Sequence, residues 1–172
     1  MTFPARRRWG QHFLASADTA ERIVAAARVK PSDTVVEVGP GDGALTRPLA
    51  SQARRLLVIE IDPWRAAALE KEFAADPRVR VAQGDALGKS FGEWLAGAGW
   101  PGTALLVSNL PYNAATPILA AASEEPEAIC RCLATVQREV AKRFCARAGD
   151  EAYGYLSVRA AAFSRAKILF DL

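Results

Sequence analysis

The sequence predicts an α/β protein with a doubly wound, mostly parallel sheet. Three observations carry that reading. Short β-rich apolar runs alternate with helically periodic stretches along the chain. The runs are near-continuous in Val, Leu and Ile, as strands covered on both faces require. Glycines, carboxylates and amides follow directly after the runs, where sheets of this kind bind ligands.

The elements follow in order. Ser16 to Arg28 reads as a helix, with Ile23, Val24 and Ala27 on one side and Ser16 or Asp18 as N-cap. Thr34-Val35-Val36-Glu37-Val38 is a buried strand, broken by Gly39-Pro40-Gly41-Asp42-Gly43, and Ala44 to Ala50 starts a helix. Leu56-Leu57-Val58-Ile59-Glu60 is the second strand. Asp62 then caps a helix that has Pro63 in its first turn and runs to about Ala74. A third strand spans Val79 to Ala82. Trp94, Leu95 and Trp100 mark a short helix and loop. The fourth strand, Ala104-Leu105-Leu106-Val107, ends at Ser108-Asn109. Thr116 to Ser123 is helical, and Ile129 to Val136 is a fifth strand. Glu139 to Arg147 is a helix with Val140 and Phe144 inward. Tyr155 to Phe163 is another, and Lys167-Ile168-Leu169-Phe170 a last strand.

Composition sets the outer limits. A chain of 172 residues, 51% apolar and 24% charged, has the length of one domain and can bury a core without disulfides or metals. The same fractions exclude disorder as the main state. No stretch approaches the roughly 18 apolar residues of a membrane span. The basic start, Met1 to Arg8, leads into no apolar signal core, so a cytoplasmic protein is expected. Cys130, Cys132 and Cys145 fit no metal spacing and are expected to be buried and reduced. His12 is the only histidine, which disfavours a His-based triad or zinc site. No metal is expected. The chemistry must come from carboxylates, amides, aromatics and a cofactor.

The charge is uneven. Residues 1–30 carry six Lys/Arg and two Asp/Glu, residues 31–125 eight and twelve, and residues 126–172 eight and five. Basic ends around an acidic middle suit an anionic partner gripped by the ends, although a solvated surface gives the same counts.

The candidate site lies at four strand ends. Gly-x-Gly-x-Gly is not the Gly-x-Gly-x-x-Gly spacing of a dinucleotide fold, which argues against an NAD-dependent oxidoreductase. Asp42 inside the loop would repel a pyrophosphate, so a cationic or zwitterionic nucleoside suits it better. A plain structural turn also explains the glycines. Glu60 stands nineteen positions after Gly41, where a carboxylate can accept ribose hydroxyls. Asp85, after the third strand, can accept an adenine amino group, because an ionised carboxylate only accepts. Asn109-Leu110-Pro111-Tyr112 is the sharpest signal. An exocyclic base amine is a poor nucleophile, since its lone pair is delocalised into the ring. The Asn109 side-chain oxygen and a following backbone carbonyl can accept its two N–H groups and aim that lone pair at an electrophile. Pro111 stiffens the loop and Tyr112 offers a stacking face.

The chain resembles the rRNA adenine N6-dimethyltransferases. The resembling stretches are Gly10-Gln11-His12-Phe13-Leu14, Glu37 to Thr46, Glu60-Ile61-Asp62, Gln83-Gly84-Asp85-Ala86, Asn109 to Asn113, Gln137-Arg138-Glu139-Val140-Ala141 and Tyr153 to Val158. They run in the family's order and cover nearly the whole chain, and the Asn109 and Tyr153 stretches look most like the small-subunit branch. The resemblance implies a Rossmann-like methyltransferase fold with S-adenosyl-L-methionine as methyl donor. It implies that His12 and Leu14 line the cofactor entrance and that Gly39 and Gly41 approach its amino-acid part. Glu60 with Ile61 would hold the ribose, and Asp85 with Ala86 the adenine. Asn109, Pro111 and Tyr112 would hold the target adenine, with Asn109 also bordering the cofactor.

This sequence departs from the family pattern in two places. Position 12 is His where the family usually has Asn. The family also continues past the equivalent of Leu172 with an aromatic, Pro-rich segment, a final strand and a small helical domain.

The expectation is therefore one catalytic domain over residues 1–172, with a basic segment at 1–15 and without that last strand and helical domain. Small-subunit ribosomal RNA is the expected partner of a monomer. Arg6, Arg7 and Arg8, beside Trp9, and Arg138, Lys142 and Arg143 are candidate RNA contacts; a basic tail and a solvated helix face read equally well. A non-catalytic RNA-binding assembly factor is the alternative from another class.

Overall fold

A computed structural model of the chain describes residues 17–172. Helix α1 (Ala17–Ala27) leads into β1 (Thr34–Val38), α2 (Thr46–Gln52), β2 (Arg55–Glu60), α3 (Pro63–Glu72) and β3 (Val79–Gln83). Then come α4 (Phe91–Gly97), β4 (Ala104–Asn109), α5 (Ala115–Glu124), β5 (Ile129–Thr135), α6 (Arg138–Cys145) and α7 (Tyr155–Phe163). The strands form one sheet in the order β3-β2-β1-β4-β5, with every pair parallel. Val35 stands opposite Leu56 on one side and Leu105 on the other, and Asn109 opposite Thr135. The order reverses between β1 and β4, and their carboxyl ends flank that switch point.

Alternation along the strands builds two cores. Val36, Val38, Leu57, Ile59 and Leu106 face α4 and α5, meeting Phe91, Leu95 and Ile118. Val35, Leu56, Val58, Leu105 and Val107 face the other way, onto Ile23 and Val24 of α1, Leu49 of α2 and Leu69 of α3. Both faces of the central strands are covered, which explains why they read as unbroken apolar runs.

Local chemistry starts the helices that border the site. The Asp62 carboxylate accepts from the Trp64 N–H at 2.9 Å, and Pro63 occupies the first helical turn, as the sequence implies. Ser90 and Glu93 close a capping box on α4.

Three expectations change. Residues 167–170 are no strand. The chain after α7 has no regular structure, with the Arg22 guanidinium 5.1 Å from the Phe170 ring centroid and Arg138 paired with Asp171 at 3.7 Å. A strand needs a hydrogen-bonding neighbour, and none of the described residues pairs with this segment. Cys130 and Cys132 are exposed, because β5 is an edge strand, and Cys145 is half-buried on α6; all three are free thiols. Helix α6 buries none of its side chains, so Val140 and Phe144 are only half-covered. Among the described residues, no helix is long and apolar enough to cross a membrane.

One close contact makes the core testable. A Cβ at Gly84 would lie 2.8 Å from Cη2 of Trp94, whose indole N–H is held by the Ala86 carbonyl at 3.1 Å. The Gly84→Ala variant should lose about 1–3 kcal/mol of stability. Urea unfolding should show a lower midpoint with an unchanged slope.

Candidate active site

The glycine loop departs from the end of β1. Gly39, Gly41 and Gly43 have φ of +66°, +59° and +79°, a left-handed backbone that side chains disfavour. The Gly39 N–H donates to the Ile59 carbonyl at 2.9 Å, fastening the loop to β2. A Cβ on Gly39 would lie 3.3 Å from Cδ of Pro111. The glycine loop therefore packs directly on the Asn109–Tyr112 loop across the switch point.

Two carboxylates lie beneath this junction. Glu60 ends β2 and is 1% exposed. Its Oε1 accepts from the Asp62 N–H at 2.9 Å, while the buried Oε2 has no hydrogen-bond partner among the described residues. Burial pushes the Glu60 carboxyl up, with the Asp62 and Gly41 amides and the Arg65 charge pulling the other way. A buried acceptor without a donor fits a ligand hydroxyl, which is what a ribose offers. Glu37, on the same sheet face, is also 1% exposed, and its Oε2 likewise lacks a partner. Burial pushes its carboxyl up to about 8; the Glu60 charge adds to this, and Thr46 and Arg47 oppose it.

The third wall is the end of β4. The Thr135 hydroxyl donates to Oδ1 of Asn109, a contact set up by the pairing of these two strand ends. The Ser108 hydroxyl donates to the Val38 carbonyl at 2.5 Å, joining β4 to β1. The Leu110 N–H donates to the Thr135 carbonyl at 3.2 Å. Asn109 and Pro111 are half-buried and Tyr112 is exposed, so the loop presents itself to solvent.

The remaining candidates divide. Asp85 is exposed beyond β3 and caps a short 3-10 turn through Oδ1, at 3.0 Å from the Leu87 N–H. Ala86 is buried and Ile61 half-buried. Arg138, Lys142 and Arg143 are exposed on α6. Arg6, Arg7, Arg8, His12 and Leu14 lie outside the described residues. Asp42, expected to repel a pyrophosphate, has Oδ1 3.2 Å from Nη1 of the buried Arg65. Among the described residues, no cluster of His, Cys, Asp or Glu could hold a metal ion.

Sequence reading passed over Thr135, Ser108, Arg65 and any role for Glu37. Glu37 carried a usable signal, being a carboxylate inside an otherwise apolar strand. Thr135 and Arg65 carried none, because their partners are distant in sequence.

A parallel sheet with a glycine loop, a buried carboxylate and an Asn-Leu-Pro-Tyr loop at one switch point defines a domain of the methyltransferase fold. Solved structures agree. The 23S rRNA methyltransferase ErmE superposes with a TM-score of 0.66 at 29% identity, covering 78% of this chain and 51% of its own. A dimethyladenosine transferase from Plasmodium falciparum gives 0.71 at 26% identity, covering 86% and 51%. The model of the ribosomal RNA adenine dimethylase family matches residues 2–172, and the chain belongs to that family. Ribosomal RNA small subunit methyltransferase A of Methylococcus capsulatus is 41% identical over 97% of this chain and 63% of its own length. The Streptomyces griseus protein of the same name is 45% identical over 91% and 53%. The chain thus spans little more than half the length of such relatives.

Glu37 gives the protein a pH signature. Its carboxyl titrates near 4.5 when unfolded and near 8 when folded, so the folded state keeps the proton in between. This contribution to stability is full below about pH 4.5 and is lost as pH rises toward 8. Glu60, also raised, acts with the same sign. Denaturant titrations of the wild type and Glu37→Gln across this range should show a shallower decline in the variant.

Proposed function

We propose that these residues form the catalytic domain of an S-adenosyl-L-methionine-dependent methyltransferase that dimethylates adenine N6 in small-subunit rRNA. The observation that carries the reading is the packing of Pro111 on Gly39. It puts the loop suited to an adenine amine against the loop suited to a nucleoside cofactor.

When bound, S-adenosyl-L-methionine supplies an electrophilic methyl group on a sulfonium. Oε2 of Glu60 would accept from its ribose, and the Asp85 oxygen that does not cap the turn would accept from its adenine amine. The turns at Gly39 and Gly41 would let backbone approach its amino-acid part, beside Ile61, Ala86 and the edge of Asn109. On the substrate side, the Asn109 side chain, held by the Thr135 hydroxyl at Oδ1, would accept from an adenine N–H. Tyr112 would stack on the base. The methylated amine is acidic once alkylated and can release its proton to water, so the chain needs no general base. Repeating the transfer gives the dimethylated product. The exposed cations of α6, Arg138, Lys142 and Arg143, would meet RNA phosphates.

Three variants test this reading with labelled S-adenosylmethionine and undermethylated small-subunit particles. Asn109→Ala should abolish label transfer while cofactor binding, read by calorimetry, is largely retained. Full turnover in that variant would remove the assignment. Cofactor binding by the wild type without label in RNA would favour a non-catalytic RNA-binding domain. Thr135→Val removes the hydroxyl that orients Asn109 and should slow transfer about five- to tenfold. Thr135→Ser should restore it.

A further inference from the structure

We propose that Arg65 is a positioning residue of the cofactor site, holding the glycine loop through Asp42 and placing its positive charge beside the ribose carboxylate Glu60. This inference rests on the cofactor reading above.

The placement of Arg65 calls for an explanation. It stands in the first turn of α3, where the helix dipole disfavours a cation. It is also only 3% exposed, and a buried guanidinium is costly unless anions surround it. Two are at hand from other elements. Nη1 lies 3.2 Å from Oδ1 of Asp42 in the glycine loop, and the charge acts on Glu60 at the end of β2.

Asp42 is held a second time. Its backbone carbonyl accepts from Nη1 of Arg47 at 2.9 Å, and Arg47 is forked onto Glu72 at 2.7 and 2.9 Å. The Arg47–Glu72 pair is half-exposed and screened by water; the Arg65 side chain is 4% exposed, its partner Asp42 56%. Arg65 thus adds a second electrostatic tie on the loop, from a guanidinium that is itself buried. It is also a favourable influence on Glu60, whose burial and neighbour Asp62 both oppose ionisation. A protonated Glu60 would offer a ribose one good acceptor fewer. Removing Arg65 should therefore affect the two ends of the site differently. The loop loses an anchor, and the ribose loses part of its recognition.

The test is calorimetric binding of S-adenosylhomocysteine and its 2′-deoxy analogue to the full chain, which needs no turnover. The wild type should bind the parent compound more tightly than the analogue. Arg65→Met should weaken the parent about tenfold and shrink the preference over the analogue toward unity. Arg65→Lys should keep most of the preference. Asp42→Asn alters an exposed carboxylate and leaves Arg65 beside Glu60. It should weaken both ligands several-fold while keeping the preference, and it remains informative should Arg65→Met fail to fold. Unchanged binding in Arg65→Met, or equal weakening of both ligands, overturns the inference while leaving the cofactor reading intact. Unchanged binding of both ligands in Asp42→Asn overturns the loop-holding part. No binding by the wild type removes the cofactor reading itself, and this inference with it.

Discussion

Gly39 stands where the chain must turn sharply out of β1 and where a Cβ would press on the Pro111 ring at 3.3 Å. Much of the site depends on that contact. It sets the distance between the loop after β1 and the loop after β4. The sheet supplies the rest of the constraint. Parallel strands bring all their carboxyl ends to one edge, and the reversal of order between β1 and β4 leaves a crevice there. The Ser108 hydroxyl on the Val38 carbonyl and the Gly39 amide on the Ile59 carbonyl tie the walls of the crevice together.

The electrostatics of the crevice follow from the same geometry. Glu37 and Glu60 share one face of adjacent strands beneath the loop, so each is buried and each feels charge nearby. Arginines from α2 and α3 then hold the loop from the other side. Two buried carboxylates are thereby gathered at one edge of the sheet, with arginines close by. The cations of α6, Arg138, Lys142 and Arg143, are exposed. Stability and binding are expected to pull against each other here, because buried carboxylate oxygens without donors among the described residues are the atoms a ligand can satisfy.

Much of the architecture was legible from local sequence. The five strands, the Asp62 cap with Pro63 behind it and the glycine turn each depend on residues close together in the chain. Glu60, Asp85 and Asn109 could be singled out because strand ends in such a sheet are where ligands bind. Residues 167–170 show where this reasoning stops. Their composition suits a strand, yet strand formation requires a partner, and local sequence holds no information about whether one lies alongside.

The sequence by itself determined the alternation of strand and helix, the glycine positions that only a left-handed turn requires, and which polar residues reach the strand ends. Those features follow from backbone sterics and side-chain periodicity, which act over a few residues. Tertiary structure alone decided that Thr135 orients Asn109, that Arg65 answers Asp42 and that Glu37 and Glu60 are buried together. These are contacts between elements. They arise from strand order and register, which bring together groups that the chain itself keeps more than twenty residues apart.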